Sequence, residues 1–197
     1  AGSARAGRLE IHPSFSAEVG YDSNVFLQDE NTEGSAVLRL TAGLSVTTLG
    51  GERTAEAEAT TPPKIEFSGG LNVSYLQYFN TPNGGNVAGD LNFRLAVRPM
   101  GRFGFTLTQN FARTVRPFVD ATEDGSPSYG QNVSTTSALF HVASQGRALI
   151  GHLGYRLGAT FFDSGLFQGN NSLTHTMVGD LSWTFFPRTA LVWDFST

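Results

Sequence analysis

From Leu9 to Asp22 the chain alternates without a break. The odd positions are Leu9, Ile11, Pro13, Phe15, Ala17, Val19 and Tyr21, and the even ones Glu10, His12, Ser14, Ser16, Glu18, Gly20 and Asp22. Side chains point alternately to the two faces of a strand, so this period of two predicts a strand with one apolar and one polar face. Eight more segments follow the same rule. Near 35–48, Ala36, Leu38, Leu40, Ala42, Leu44 and Val46 oppose Ser35, Arg39, Thr41 and Ser45. Similar sets occupy 65–79, 87–98, 103–114, 148–162 and 175–186, and a last one starts at Ala190. The segment near 132–143 is the weak one: Ala138, Phe140 and Val142 make a face, but Leu139 interrupts the other side.

A secreted β-sandwich also alternates, and three features separate it from a membrane barrel. The runs are about 11–15 residues, against about 5–6 for ordinary strands and about 9–11 for membrane strands. The connections alternate in length: 23–34, 80–86, 115–131 and 163–174 are long, while 99–102, 144–147 and 187–189 are tight. Long loops on one side and short turns on the other are the habit of outer-membrane barrels, and only the link 49–64 departs from it. Finally, aromatics gather near the predicted strand ends. Phe67, Phe103, Trp183, Phe185 and Trp193 fall toward one rim, and Tyr21, Phe79, Phe111 and Phe161 toward the other. Two aromatic belts are expected where rings meet lipid headgroups.

Composition strengthens this picture. There are 23 Gly and 16 Phe, and Lys64 is the single lysine among 13 basic residues. Water-facing surfaces and sheet edges usually rely on lysine. Absence of cysteine removes disulfides and thiolate metal sites. The net charge of −4 is unclustered, which argues against nucleic acid as a partner. No stretch approaches the roughly 20 apolar residues of a membrane helix, leaving a closed barrel as the way to span a bilayer.

The expected fold is therefore all-β: a transmembrane antiparallel up-and-down β-barrel in a Gram-negative outer membrane. Residues 1–197 form one barrel domain, incomplete at its C-terminus, and 1–8 a short periplasmic segment whose export signal has been removed. About nine strands are expected here. Bacterial barrels have an even count, so the chain reads as part of a larger barrel of 16 or 18 strands. The tight turns Pro99–Met100–Gly101–Arg102, Ser144–Gln145–Gly146–Arg147 and Pro187–Arg188–Thr189 recur once per hairpin and share turn chemistry.

The stretch Val19–Gly20–Tyr21–Asp22–Ser23–Asn24–Val25–Phe26 resembles the opening of the β-barrel porin type 2 family of Gram-negative outer-membrane proteins. The Pro-Arg turns and Ala190–Leu191–Val192–Trp193 are similar to that family as well. The resemblance covers the whole chain, matched to the N-terminal half of such a barrel. It implies an outer-membrane channel, with exopolysaccharide export as one associated role, and carries over no functional residue.

The predicted inward face holds Glu10, Glu18, Arg39, Glu66, Asp90, Arg94, Arg98, Arg156, Asp180 and Asp194. In a hydrated lumen these either set the potential for passing solutes or brace the wall through salt bridges. Arg94 and Arg98, joined by Arg39, are the candidate grip on anionic sugars or phosphate, because guanidinium offers a rigid donor fork. His12 and His152 also point inward, and His175 lies near the outer rim, but no nucleophile motif surrounds them. His12, His141, His152 and His175 therefore read as polar lining, with no catalytic residue, metal or cofactor expected. Acidic runs at Asp22, Asp29, Glu30 and Glu33, and at Asp120, Glu123 and Asp124, fit no calcium loop and read as solvated loop surface. Asn83–Gly84–Gly85–Asn86 is a turn signal rather than a phosphate cradle.

Three functions stand at this point. The first is a porin or export channel with a polar, hydrated lumen, its cargo a polysaccharide or another polar solute. The second is a structural barrel anchoring a larger envelope or motility complex of other proteins. The third, disfavoured, is an outer-membrane hydrolase. Outer-membrane lipid is the partner common to all three.

Overall fold

Nine alternating segments make nine strands. The computed structural model describes residues 9–25, 34–48, 64–80, 85–117, 128–186 and 189–197. Its strands are β1 (Glu10–Asp22), β2 (Ser35–Thr47), β3 (Ile65–Tyr78), β4 (Gly85–Val97), β5 (Phe103–Pro117), β6 (Ser128–Ala143), β7 (Leu149–Phe162), β8 (Ser172–Phe186) and β9 (Thr189–Ser196). Each pairs antiparallel with its neighbours in chain order, giving one up-and-down sheet with β1 and β9 at its edges. Among the described residues no helix is long and apolar enough to cross a membrane.

The connections sort to the two ends of the sheet. The links after β4, β6 and β8 are tight and share one end with the link after β2; this is the turn end, and the opposite one is the loop end. After β6, Gly146 takes φ 78°, a left-handed value that glycine adopts without a Cβ clash. The Leu149 amide donates to Ser144 Oγ at 2.9 Å and closes that turn. After β4, the Gly101 amide donates to the Arg98 carbonyl at 2.9 Å across Pro99 and Met100. Arg98 itself has φ 48°, so it belongs to the turn and not to the strand.

The strands outrun several expected limits. The predicted loop 115–131 is paired strand at both ends, with Val115 opposite Gly130, Arg116 opposite Tyr129 and Pro117 opposite Ser128. Strand β4 starts at Gly85 and β8 at Ser172, and Gly165–Asn170 of the 163–174 link forms a 3₁₀ turn. The weakly patterned β6 is the longest strand, at 16 residues. Its neighbours β5 and β7 impose the register, and cross-strand pairing overrides its own mixed alternation. The segment 1–8, the acidic residues Asp29, Glu30, Glu33, Asp120, Glu123 and Asp124, Asn83–Gly84, most of 49–64 and Pro187–Arg188 lie outside the described residues.

Residues directly opposite one another share a face, so the register carries each face across the sheet. Leu71 faces Leu91, which faces Phe111. Leu95, Leu107, Ala138, Tyr155 and Met177 follow one another in a row from β4 to β8, and Leu181 meets Trp193. Leu40 and Leu157 lie on that apolar face. On the other, Arg94, Thr108, Ser137 and Arg156 make one row.

Among the described residues nothing covers the middle of either face. Buried apolar side chains are confined to Val25, Leu76, Tyr78, Ala96 and Ala143 among the described residues. Phe15 is 73% exposed, Val19 80% and Phe103 69%. The chain exposes 13664 Å², against about 9,000 Å² expected of a compact chain of its mass. Val25, Leu76 and Tyr78 pack with Val37 and Ala88 at the loop end of the polar face, where Ser35 Oγ accepts from the Phe79 and Asn80 amides.

The strands are also staggered. One row of cross-strand partners runs Ser14, Gly43, Asn72, Asp90, Ala112, Val133, Thr160, Ser172. Ser14 lies two residues before the midpoint of β1, whereas Ser172 is the first residue of β8. The sheet has thus slipped by about nine residues over seven strand steps. At about 3.3 Å per residue and 4.8 Å between strands, that slip is a tilt of roughly 40°.

Candidate functional site

The polar face is built by the even positions of β1, β3, β4, β5, β7, β8 and β9 and the odd positions of β2 and β6. Its charges mostly meet across adjacent strands. Arg39 Nη1 lies 3.8 Å from Glu18 Oε2, and Arg94 Nη1 donates to Glu66 Oε2 at 3.4 Å. His12 Nε2 is 3.6 Å from Glu10 Oε2, and Asn72 Nδ2 donates to Asp90 Oδ2 at 3.0 Å. The three arginines expected to act together are therefore separated: two hold a carboxylate each, and Arg98 sits in the turn. Arg156 has no ion pair or hydrogen bond among the described residues.

Near the turn end a titratable row crosses four strands. His141 is opposite His152, His152 opposite Asp180, and Asp180 opposite Asp194. His152 Nδ1 lies 2.7 Å from Asp180 Oδ2, and His141 Nε2 donates to the Gly101 carbonyl at 3.0 Å. A His–Asp pair is two thirds of a hydrolytic triad, yet among the described residues no hydroxyl bonds the His152 ring. No group of three acidic or His side chains there could hold a metal ion.

Hydroxyl and amide groups fill the rest of the face. Thr41 bonds Ser74 at 2.8 Å, and Thr108 bonds Ser137. Around the centre, Asn92 is opposite Asn110, and Asn110 opposite Thr135. These three line a shallow cavity of about 250 Å³ with Asp90, Leu91, Phe111, Ala112 and Val133. A second, of about 430 Å³, is lined by His12, Ser14, Ser45, Thr47, Ser68, Asn72 and Asn92 among others.

The apolar face carries the aromatics. Phe67, Phe103, Trp183 and Phe185 lie toward the turn end and Tyr21 and Phe161 toward the loop end, while Phe111 and Trp193 sit within their strands. Phe79 follows the end of β3. Phe15, Phe93 and Phe195 on the same face lie between the two rims. A bulge at Thr184–Phe186 sets Phe185 against Trp183, with ring centres 5.5 Å apart.

Polar side chains centred on β5 and β6 interrupt this face in two bonded groups, which the alternation does not flag. Gln109 accepts from Thr136 Oγ1 and donates to Ser134 Oγ at 2.8 Å. Arg113 donates from Nε to the Val87 carbonyl at 3.1 Å and from Nη1 to Asn132 Oδ1 at 3.0 Å, and its Nη2 lies 2.5 Å from Asp163 Oδ2. Asn132 Nδ2 donates to the other Asp163 oxygen at 2.7 Å. The hydrogen bond from Arg113 holds the Asp163 carboxyl below the usual aspartate range, reinforced by Asn132. Also on this face, Tyr155 bonds His175.

Comparison with family models, curated proteins and solved structures found no match.

Proposed function

We propose that this sheet is the wall of an outer-membrane β-barrel whose polar face lines a hydrated lumen, serving as a porin or export channel for a polar solute. The observation that carries the reading is a largely apolar face that spans nine strands, with none of the described residues packed over it. A water-exposed sheet of this kind would aggregate, whereas lipid is a suitable solvent for it. Three further features agree. Strands β1 to β8 hold 13 to 16 residues, enough for a tilted membrane strand of about 9–11. Their stagger gives the roughly 40° tilt that barrels use. Arg113, the one strand cation described on the apolar face, has all three guanidinium nitrogens engaged within the protein, as a low-dielectric surround favours.

The opening motif's likeness to the porin type 2 family supports the channel reading. The polar network over β5 and β6 favours the second reading, a structural barrel that meets another envelope protein there. One experiment separates them. The chain has no cysteine, so single-Cys variants at Ser16 and Leu40 can be reconstituted in planar bilayers. A water-soluble thiol reagent should reduce conductance through the Ser16→Cys variant and leave Leu40→Cys untouched. Block at Leu40→Cys alone would invert the faces, and a non-conducting, bilayer-inserted protein would favour the structural barrel.

A further inference from the structure

Most charged side chains on the polar face already have a partner, and several neutral ones pair as well. Glu18 holds Arg39, Glu66 holds Arg94, Asn72 holds Asp90, Thr41 holds Ser74, and Asp180 holds His152. One patch brings an uncommitted cation beside uncommitted amides. The amides of Asn92 and Asn110, the Thr135 hydroxyl and the Arg156 guanidinium make no hydrogen bond or ion pair among the described residues. They also adjoin. Asn92, Asn110 and Thr135 line the cavity of about 250 Å³. In the next row toward the turn end, Arg94, Thr108, Ser137 and Arg156 lie on β4, β5, β6 and β7 in turn. Three strand spacings separate the two arginine backbones, about 14 Å.

Each group has a defined capacity. The two amides offer donors and acceptors, the Thr108–Ser137 pair keeps one O–H and spare lone pairs, and Arg156 offers five N–H donors. Asp90, held by Asn72, lines the same cavity and can accept from a hydroxyl. No aromatic ring other than Phe111 borders it, so stacking contributes little. The cavity is smaller than the roughly 300–1,000 Å³ of drug-sized pockets, so it fits one small molecule.

We infer that the patch of Asn92, Asn110, Thr135 and Arg156 is a binding subsite for a small polyhydroxylated carboxylate, with Arg156 taking the carboxylate and the amides and Thr135 the hydroxyls. A cation is a poor fit, because the uncommitted charge is a guanidinium. A plain anion leaves the amides unused, and a neutral polyol leaves Arg156 unused. The inference rests on the lumen reading for its role in transport, but the subsite itself is a property of the folded chain.

The test uses D-gluconate, with D-glucose and acetate as partial mimics. Isothermal titration of the intact chain in detergent micelles should show gluconate binding more tightly than either mimic. Arg156→Gln should weaken it by about ten-fold or more, the cost of one charge-assisted hydrogen bond. Asn92→Ala with Asn110→Ala should weaken gluconate and glucose alike. Ser16→Ala, on the same face but outside the patch, should change nothing. Unaltered gluconate affinity in both patch variants, each with unchanged circular dichroism, would overturn the inference, as would equal affinity for all three probes. Bilayer conductance measured in parallel keeps the two claims apart. Binding without conductance refutes the channel and leaves the subsite, whereas conductance without selective binding refutes the subsite alone.

Discussion

The two faces of the sheet treat polar groups in opposite ways. On the polar face Arg156 and Asp194 stand without a partner among the described residues, and the two arginine–glutamate pairs are loose, at 3.4 Å for Arg94 and 3.8 Å for Arg39, although His152 and Asp180 approach to 2.7 Å. On the apolar face the Arg113 network is closed: three guanidinium nitrogens, both Asp163 oxygens and both ends of Asn132 are engaged. Water forgives an unpaired charge at little cost, and an apolar medium does not. The contrast is the one that the proposed lipid and water surroundings would call for, independently of how many apolar residues each face displays.

The comparison breaks most severely if a charge is forced onto the middle of the apolar face. Leu91, midway along β4, replaced by Arg should cost about 2–4 kcal/mol in urea unfolding from liposomes. The same change at Leu95, near the turn end of that strand, should cost at most about 1 kcal/mol. Equal penalties at both depths would contradict a bilayer centred on the strands. Next comes the network. Asp163→Asn removes one charge-assisted bond and should destabilise by about 1.5–3 kcal/mol. Replacing Arg113 and Asp163 together by Leu should recover most of that loss, and a double-mutant cycle without coupling would show the pair to be ornamental.

A smaller effect follows from Asp163 titration. Its pKa is lower folded than unfolded, chiefly through the Arg113 hydrogen bond. The bond therefore contributes stability above the ordinary aspartate pKa, and that contribution fades as pH falls through the folded value. Stability measured from neutral pH down to about pH 3 should show this loss, and Arg113→Leu should remove it. The smallest effect is expected at Arg156→Gln, within about 0.5 kcal/mol of the parent, because the guanidinium braces nothing. A large loss there would show that the polar face, too, depends on that charge.

Strands were easy to read where each face was chemically pure. In β1 every odd position is apolar or Pro and every even one polar or Gly, so period two was unmistakable. Strand β6 obscured its pattern because Asn132, Ser134 and Thr136 occupy its apolar-face positions while Val133 and Leu139 occupy the other. Gln109 and Arg113 break the pattern of β5 on that same face, and the two irregularities explain each other only once Gln109 is known to lie opposite Thr136 and Arg113 opposite Asn132. Register is a long-range property, so the network was invisible to a local reading. The charged residues of the polar face were identifiable, but which of them were already neutralised was not. Arg39 and Arg94 read like Arg156 until Glu18 and Glu66 are placed across from them. The uncommitted amides of Asn92 and Asn110 gave no signal, since an Asn on a polar strand face is unremarkable by itself.

The sheet's two margins share a polarity. Strands alternate in direction, so β1 and β9, both odd-numbered, run from the turn end to the loop end. If these margins met directly, the seam would be parallel, unlike every other contact in the sheet. Two copies inserted the same way in one membrane face the same restriction, because all four margins then point alike. An all-antiparallel ring consequently needs an odd number of intervening strands, whatever supplies them. Direction alone thus bars this sheet from sealing on itself or on its twin in the manner of its other seams. A disulfide screen with cysteines at Ala17 and Trp193 would detect a violation of that rule.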